Sequence, residues 1–223
     1  MVIILDQRSR SPMLVLMKSL DRISQLPQEF FKRDPRTVAR ALLGKLLIRR
    51  TASGILAGRL VETEAYLGEG DLAAHAAAGK TARNSVLFGP PGFAYVYFIY
   101  GNYYCLNVSC LPDGIAGGVL FRALEPVSGI DEMAAERGIT IHTKNDLKKI
   151  TSGPGRLCDA LGVTRQRDNE KSFVSAKSDL QLADDGYRVR RVLVTARVGI
   201  TKSADHPLRY LIAGNPFVSG PKS

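Results

Sequence analysis

Residues 59–68, RLVETEAYLG, set two glutamates one residue apart in a run that otherwise reads as a buried strand. The period of two in a strand sends Glu62 and Glu64 to the same face, with their Cα atoms about 6 to 7 Å apart. Carboxylates in such a place suit general acid–base work on a water or a leaving group. Paired carboxylates also hydrolyse free sugars, but those enzymes flank the bond from two separate elements, and a neutral sugar gives no reason for the strong charge of this chain.

A second constellation is aromatic. Residues 93–110, FAYVYFIYGNYYCLNVSC, hold five of the eight tyrosines. Tyr95 and Tyr97 share one strand face, and YGNY is a turn signal that puts Tyr100 at the tip of a protruding hairpin. Aromatics are good strand formers, so a tyrosine-rich core hairpin is the structural alternative. Against it, a tyrosine at a hairpin tip has little to pack on, and a basic protein that presents aromatics has both ingredients of nucleic-acid binding, phosphate neutralisation and base stacking. Asn107 depends on register. With a two-residue turn at Gly101 and Asn102, Tyr97 meets Leu106 and Asn107 falls on the opposite face. With a three-residue loop, Tyr97 is expected across from Asn107, both facing one pocket.

The formal net charge is +10 and the pI about 9.7, which points to an anionic partner, nucleic acid or a membrane surface. The charge is uneven: residues 1–60 carry +8, residues 61–136 carry −6, and residues 137–223 carry +8. An acidic middle is thus flanked by basic surface from both ends, and Arg83, in the loop GKTARNSVLFGPPG, is a candidate DNA contact. Three cysteines cannot all pair, and neither a CxxC nor a Cys/His cluster suggests a metal. They read as buried thiols in a reducing compartment. The apolar runs VIIL and MLVLM are broken by charges, so no membrane span or convincing signal peptide is expected, and the reading is a soluble, cytoplasmic protein. Residues 1–25 are expected to be a disordered leader or an upstream extension, since Met13 and Met17 are equally plausible starts.

The elements that must position these residues follow from local signals. Asp34 and Pro35 open a helix over about 35–43, closed by Gly44. KLLIRR and ILAGRLVETEAYL, separated by TASG, predict two hairpin strands. DLAAHAAAG predicts a short helix, further helices are expected at 129–137 and 154–161, and YRVRRVLVTARVGI predicts a late strand. No linker divides the chain, so residues 26–223 are expected to form one α+β domain around an antiparallel sheet.

The segments VETEAYLGEGDLAAH, YVYFIYGNYYCLN, GGVLFRALEP, SGPGRLCDALG and ARVG, in this order and spacing, resemble the alkyladenine (3-methyladenine) DNA glycosylases of the mammalian type, over roughly residues 26–218. The resemblance implies a single-domain α+β protein without metal or cofactor that binds double-stranded DNA, flips out a damaged purine and hydrolyses its N-glycosidic bond, initiating base excision repair. A monomer is expected, associated with the nucleoid through DNA if the cell is prokaryotic. Residue by residue, Glu64 resembles the general base that activates water and Arg122 its partner. Tyr66, His75 and Tyr97 resemble the walls of the base pocket, and Asn107 the polar group that screens the purine. Val198 is similar to a residue that holds the water through its carbonyl. Tyr100 resembles the wedge left in the DNA stack, with Tyr95 beside it on the DNA-binding hairpin.

The physics of the residues agrees. A base inside a duplex must be extruded before chemistry can reach it. Alkylation at N3 or N7 makes a purine cationic, and the faces of Tyr66 and Tyr97 attract a cation. Structural alternatives stand beside these roles: an ion pair with Glu125 or Glu62 for Arg122, a core or capped histidine for His75, and a solvent-facing or ion-paired strand residue for Glu62. A non-catalytic nucleic-acid-binding module would keep the basic flanks and Tyr100 yet tolerate loss of Glu64. A zinc deaminase is excluded, because its His-x-Glu and Pro-Cys-x-x-Cys signatures are missing. No lysine adjoins Glu64 or His75 in sequence, so a Schiff-base lyase step has no support.

Overall fold

In the computed structural model, residues 23–99 and 101–220 are described. In chain order they form β1 (Ser24–Gln25), α1 (Pro35–Leu42), β2 (Leu46–Arg50), β3 (Ile55–Tyr66), β4 (Ala94–Ile99), β5 (Tyr103–Ser109), β6 (Gly118–Ser128), α2 (Ile130–Glu136), α3 (Lys144–Thr151), α4 (Pro154–Ala160), α5 (Arg165–Asp168), β7 (Leu180–Asp184), β8 (Val192–Thr195) and β9 (Arg209–Ile212). The strands build one curled antiparallel sheet in the order β1–β7–β2–β3–β6–β5–β4, with β9 paired to both β3 and β8. A single α+β domain results, as the sequence predicts. Among the described residues no helix is long and apolar enough to cross a membrane. Most of the expected leader lies outside the described residues; Ser24 and Gln25 at its end pair with β7.

β3 is the axis because it is long enough to serve two partners on one edge. Residues 55–59 pair with β2, after which β9 takes over at Glu62–Glu64, while β6 runs along the other edge. Period-two alternation then divides the sheet by function. Val61 and Ala65 of β3, Val96 of β4, Leu106 and Val108 of β5, and Val119 and Phe121 of β6 all enter the main apolar core. Thr63 on the same face donates its hydroxyl hydrogen bond to the Ala39 carbonyl of α1 at 2.9 Å. The alternate residues are left for a cavity on the opposite face.

Helix α1 forms where its signals stand: the Asp34 carboxylate accepts from the Arg36 amide at 2.8 Å, Pro35 takes the first position, and Val38, Ala39 and Leu42 are buried. α2 and α4 fall within a residue of their expected bounds. Two expectations are corrected. DLAAHAAAG is a series of single turns, not a helix, because Asp71 accepts from the amides of Leu67 and Ala73 and is claimed by Arg197 from far along the chain. The long late strand shrinks to Val192–Thr195, after which the chain bends away and Val198, Gly199 and Ile200 line the cavity.

Gly68 shows how tightly the loop after β3 is seated. Its φ of +84° disfavours a side chain, and a Cβ there would collide with the backbone carbonyl oxygen of Ala116. Gly68→Ala is expected to cost about 3 kcal/mol from backbone strain and overpacking together. Urea unfolding at neutral pH reads this as a lower midpoint with an unchanged slope.

Candidate active site

The sheet register brings distant segments together in a row. Glu64 of β3 stands across from Leu120 of β6, Leu120 across from Asn107 of β5, and Asn107 across from Tyr95 of β4. The connection of β4 and β5 has three residues, as one reading expects, but the partner it gave to Tyr97 is corrected. Ile99 pairs with Tyr103, so Tyr97 faces Cys105 and Asn107 faces Tyr95. Shifts of two keep a residue on its face, so Tyr95, Tyr97, Cys105 and Asn107 all line one cavity of about 490 Å³ with Tyr66, Leu120, Arg122 and Val198.

Glu64 is fully buried at the wall of this cavity, behind Tyr66, Arg122 and Val198. Its Oε1 accepts from the Val198 amide at 2.8 Å and lies 3.3 Å from Arg122 Nη1; its Oε2 accepts from the Tyr66 hydroxyl at 3.0 Å. The sequence singled out Val198 for its carbonyl, whereas the contact formed here is through its amide. Arg122 sits in a β-bulge, where Glu62 pairs with Ala123 and Thr63 with Phe121, leaving Arg122 unpaired in the ladder. From there its Nε donates to Glu62 Oε1 at 2.8 Å while Nη1 reaches Glu64.

Glu62 is the buried anchor of this arrangement, which corrects the solvent-facing reading and upholds the ion-paired one. Its Oε1 also accepts from Arg209 Nε at 2.7 Å, and its Oε2 accepts from the Ser219 amide at 2.6 Å. Arg209 and Ser219 carried no signal in the sequence, because a local reading gives no reason to bring β9 and the C-terminal segment against β3.

At the other end of the row, Tyr95 is buried, with its hydroxyl 2.8 Å from His75 Nδ1. A ring so enclosed is a wall and support of the cavity, so Tyr95 is not the surface DNA contact that the hairpin suggested. His75 packs edge-on to Tyr97 with centroids 4.4 Å apart, and its ring is open to the cavity. Asn107 donates to the Tyr95 carbonyl at 3.2 Å, which fixes its side chain. Arg83 is exposed. Tyr100 lies outside the described residues.

A second buried pair, Asp71 and Arg197, has no signal in the sequence, where Asp71 reads as a helix start and Arg197 as part of a strand. Arg197 Nη1 donates to Asp71 Oδ2 at 2.6 Å and to the Ala65 carbonyl at 3.1 Å, and Nη2 donates to Asp71 Oδ1 at 2.8 Å. The pair ties the loop that carries His75 to the segment that carries Val198.

The electrostatics follow from burial. Desolvation pushes the Glu64 carboxyl above its usual value, opposed by Arg122, the Val198 amide and the Tyr66 hydroxyl. Arg122 stays firmly charged between the two glutamates. Burial of its inner edge, with Arg83 nearby, holds His75 below its usual value, so the ring is neutral at neutral pH. Burial also raises Cys105, to about 11, which keeps this cavity thiol protonated. A reaction that uses Glu64 as base needs it ionised. The logarithm of its single-turnover rate is therefore expected to fall with unit slope on acidification, through a midpoint above the ordinary glutamate value of 4.5. Glu64→Gln must lack that limb, and a wild-type profile flat down to pH 4.5 would contradict it.

Comparison with known proteins agrees with this geometry. Residues 29–216 match the family model described as methylpurine-DNA glycosylase. A provisionally named 3-methyladenine DNA glycosylase of Koribacter versatilis is 65% identical over 202 residues, covering 91% of this chain and 96% of that protein. Proteins of the same name from Methanoculleus marisnigri and Methanocella arvoryzae are 46% and 42% identical, each over 87% of this chain and 98% and 95% of their own lengths. These relatives are bacterial and archaeal and lend no support to the narrower mammalian type. The chain belongs to the methylpurine-DNA glycosylase family and is a DNA glycosylase, a hydrolase of N-glycosyl bonds.

Proposed function

We propose that this protein flips damaged purines of the 3-methyladenine, 7-methylguanine, hypoxanthine and ethenoadenine class out of duplex DNA and hydrolyses their N-glycosidic bond with a water activated by Glu64, initiating base excision repair. The observation that carries this reading is the fixing of the Glu64 carboxylate by Val198, Arg122 and Tyr66 at the wall of an aromatic cavity, whose volume falls within the range of small-ligand sites. The relatives' names point the same way.

In the proposed reaction the flipped base lies between Tyr66, His75 and Tyr97, and Asn107 screens its edge. Water attacks C1′ of the deoxyribose, the C1′–N bond breaks with its electrons leaving on the base, and the water proton passes to Glu64. Oε2 accepts one hydrogen bond, from Tyr66, and a carboxylate oxygen has a second lone pair for that proton. The Val198 carbonyl and Arg122 hold the water, and Arg122 faces the target phosphate. An alkylated, cationic base leaves neutral without help, whereas a neutral lesion needs a proton.

The connection between β4 and β5 carries Tyr100, which we assign as the wedge that fills the gap in the stack, with Arg83 on the phosphates. The protein acts as a monomer in the cytoplasm, on the nucleoid in a prokaryotic cell, and its catalytic domain includes the strand Ser24–Gln25 paired to β7. Three free, buried cysteines suit such a reducing compartment.

Base release from short duplexes, each with one 3-methyladenine, 7-methylguanine, hypoxanthine or ethenoadenine, tests the reading. Release of free base with an intact abasic strand is the expected result. Strand cleavage through a covalent lyase intermediate, or no release from any of the four, would contradict it.

A further inference from the structure

Tyr66 has a cation against its ring. The Arg197 guanidinium carbon lies 4.6 Å from the centroid of that ring, while Arg197 itself is buried and stands outside the cavity that Tyr66 lines. The ring therefore separates a fixed positive charge from the space where the base would stack. Asp71 faces the guanidinium with both carboxylate oxygens, at 2.6 and 2.8 Å. Neither side chain reaches the cavity, so neither can meet a base directly.

We infer that Asp71 sets the discrimination between cationic and neutral bases, acting through Arg197 and Tyr66; the inference rests on the proposed function and names a determinant of its lesion preference. A bare guanidinium behind Tyr66 would draw on the same ring electrons that attract a cationic purine, and would repel that purine across the ring. The Asp71 carboxylate cancels this charge while leaving the guanidinium in place as a rigid backing for the ring. The site can thus stack a cationic 7-alkylguanine on Tyr66 with a buried arginine behind it. A neutral base such as hypoxanthine carries no net charge and is insensitive to the cancellation.

The pair holds its geometry by more than charge. Arg197 also donates to the Ala65 carbonyl at 3.1 Å and to the Ser203 carbonyl at 3.3 Å, and Asp71 accepts from two backbone amides. Asp71→Asn keeps the size of the side chain and one carbonyl acceptor, so the guanidinium stays near the ring with its charge unmatched. The other charged groups acting on Tyr66 are Glu64, whose Oε2 accepts from its hydroxyl, and Arg122, and the Asp71 substitution alters neither.

The experiment measures affinity for duplexes carrying 7-methylguanine or hypoxanthine, with Glu64→Gln in every protein so that neither lesion is consumed. Adding Asp71→Asn is expected to weaken 7-methylguanine binding about tenfold more than hypoxanthine binding, the size of one unit charge acting over about 8 Å at an intermediate dielectric. Adding Asp71→Glu instead, which keeps the charge, should restore the preference. Equal losses on both duplexes, or an unchanged ratio, would reduce the pair to a structural tie and overturn the inference. Failure of the parent protein to prefer either lesion over undamaged duplex would instead overturn the proposed function, and is read from the parent alone. A thermal melt of each variant shows whether the fold is kept, and the hypoxanthine arm reports the same within the binding data.

Discussion

Four charges buried on one face of β3 are the constraint around which this molecule is arranged. Glu62 and Glu64 are wholly out of solvent, and Arg122 and Arg209 nearly so. Ionised side chains in such a place are tolerated only when each is paired and hydrogen-bonded, and removing one partner of a buried pair costs about 3–5 kcal/mol. The fold supplies the partners from four segments. β9 displaces β2 from the edge of β3 to bring Arg209, a bulge in β6 aims Arg122 at both carboxylates, and the backbone amides of Ser219 and Val198 complete Glu62 and Glu64 respectively. Two neighbouring glutamates thereby acquire different environments. Glu62 is saturated by two arginines and an amide, whereas Glu64 shares one arginine and stands one side chain from the cavity.

That difference gives the pair its division of labour. A carboxylate gripped by two guanidinium groups and an amide is a good anchor, and Glu62 orients Arg122 for its neighbour. Glu64, lifted by burial towards the working pH, is placed to accept a proton, and the Val198 amide and Tyr66 hydroxyl prevent it from rotating away. The aromatic side of the cavity rests on an equally simple device: residues two apart on β4 and β5 share a face, so one sheet presents its core with one set of side chains and the cavity wall with the other.

What could be read in the sequence was what local chemistry determines. The cap at Asp34 and the strand alternation around Glu62 and Glu64 announce α1, β2 and β3 within a residue or two. The placing of Glu64, Tyr66, Tyr97 and Asn107 around one space follows once the antiparallel register is known, though the three-residue connection expected as one alternative puts Tyr97 across from Cys105, not Asn107. What stayed hidden depends on partners far away in sequence. Asp71 reads as a helix start until Arg197, 126 residues on, takes its carboxylate, and Glu62 reads as either solvent-facing or ion-paired until Arg209, 147 residues on, is brought beside it. α3 was missed although Thr143 and Asp146 form a capping box, because the polar run that follows shows little apolar periodicity.

The account stands on the separation of binding from chemistry at Glu64. Glu64→Gln keeps the shape of the side chain, with its amide oxygen able to accept from Val198 and its NH2 able to donate to the Tyr66 hydroxyl oxygen, but it removes the proton acceptor and the charge that faces Arg122. With a hypoxanthine duplex, the variant should bind within a few-fold of the wild type and excise at a single-turnover rate lower by at least about 100-fold, the usual loss for a positioned base. Excision at near the wild-type rate, or a fall in binding that accounts for the whole loss of rate, would contradict it.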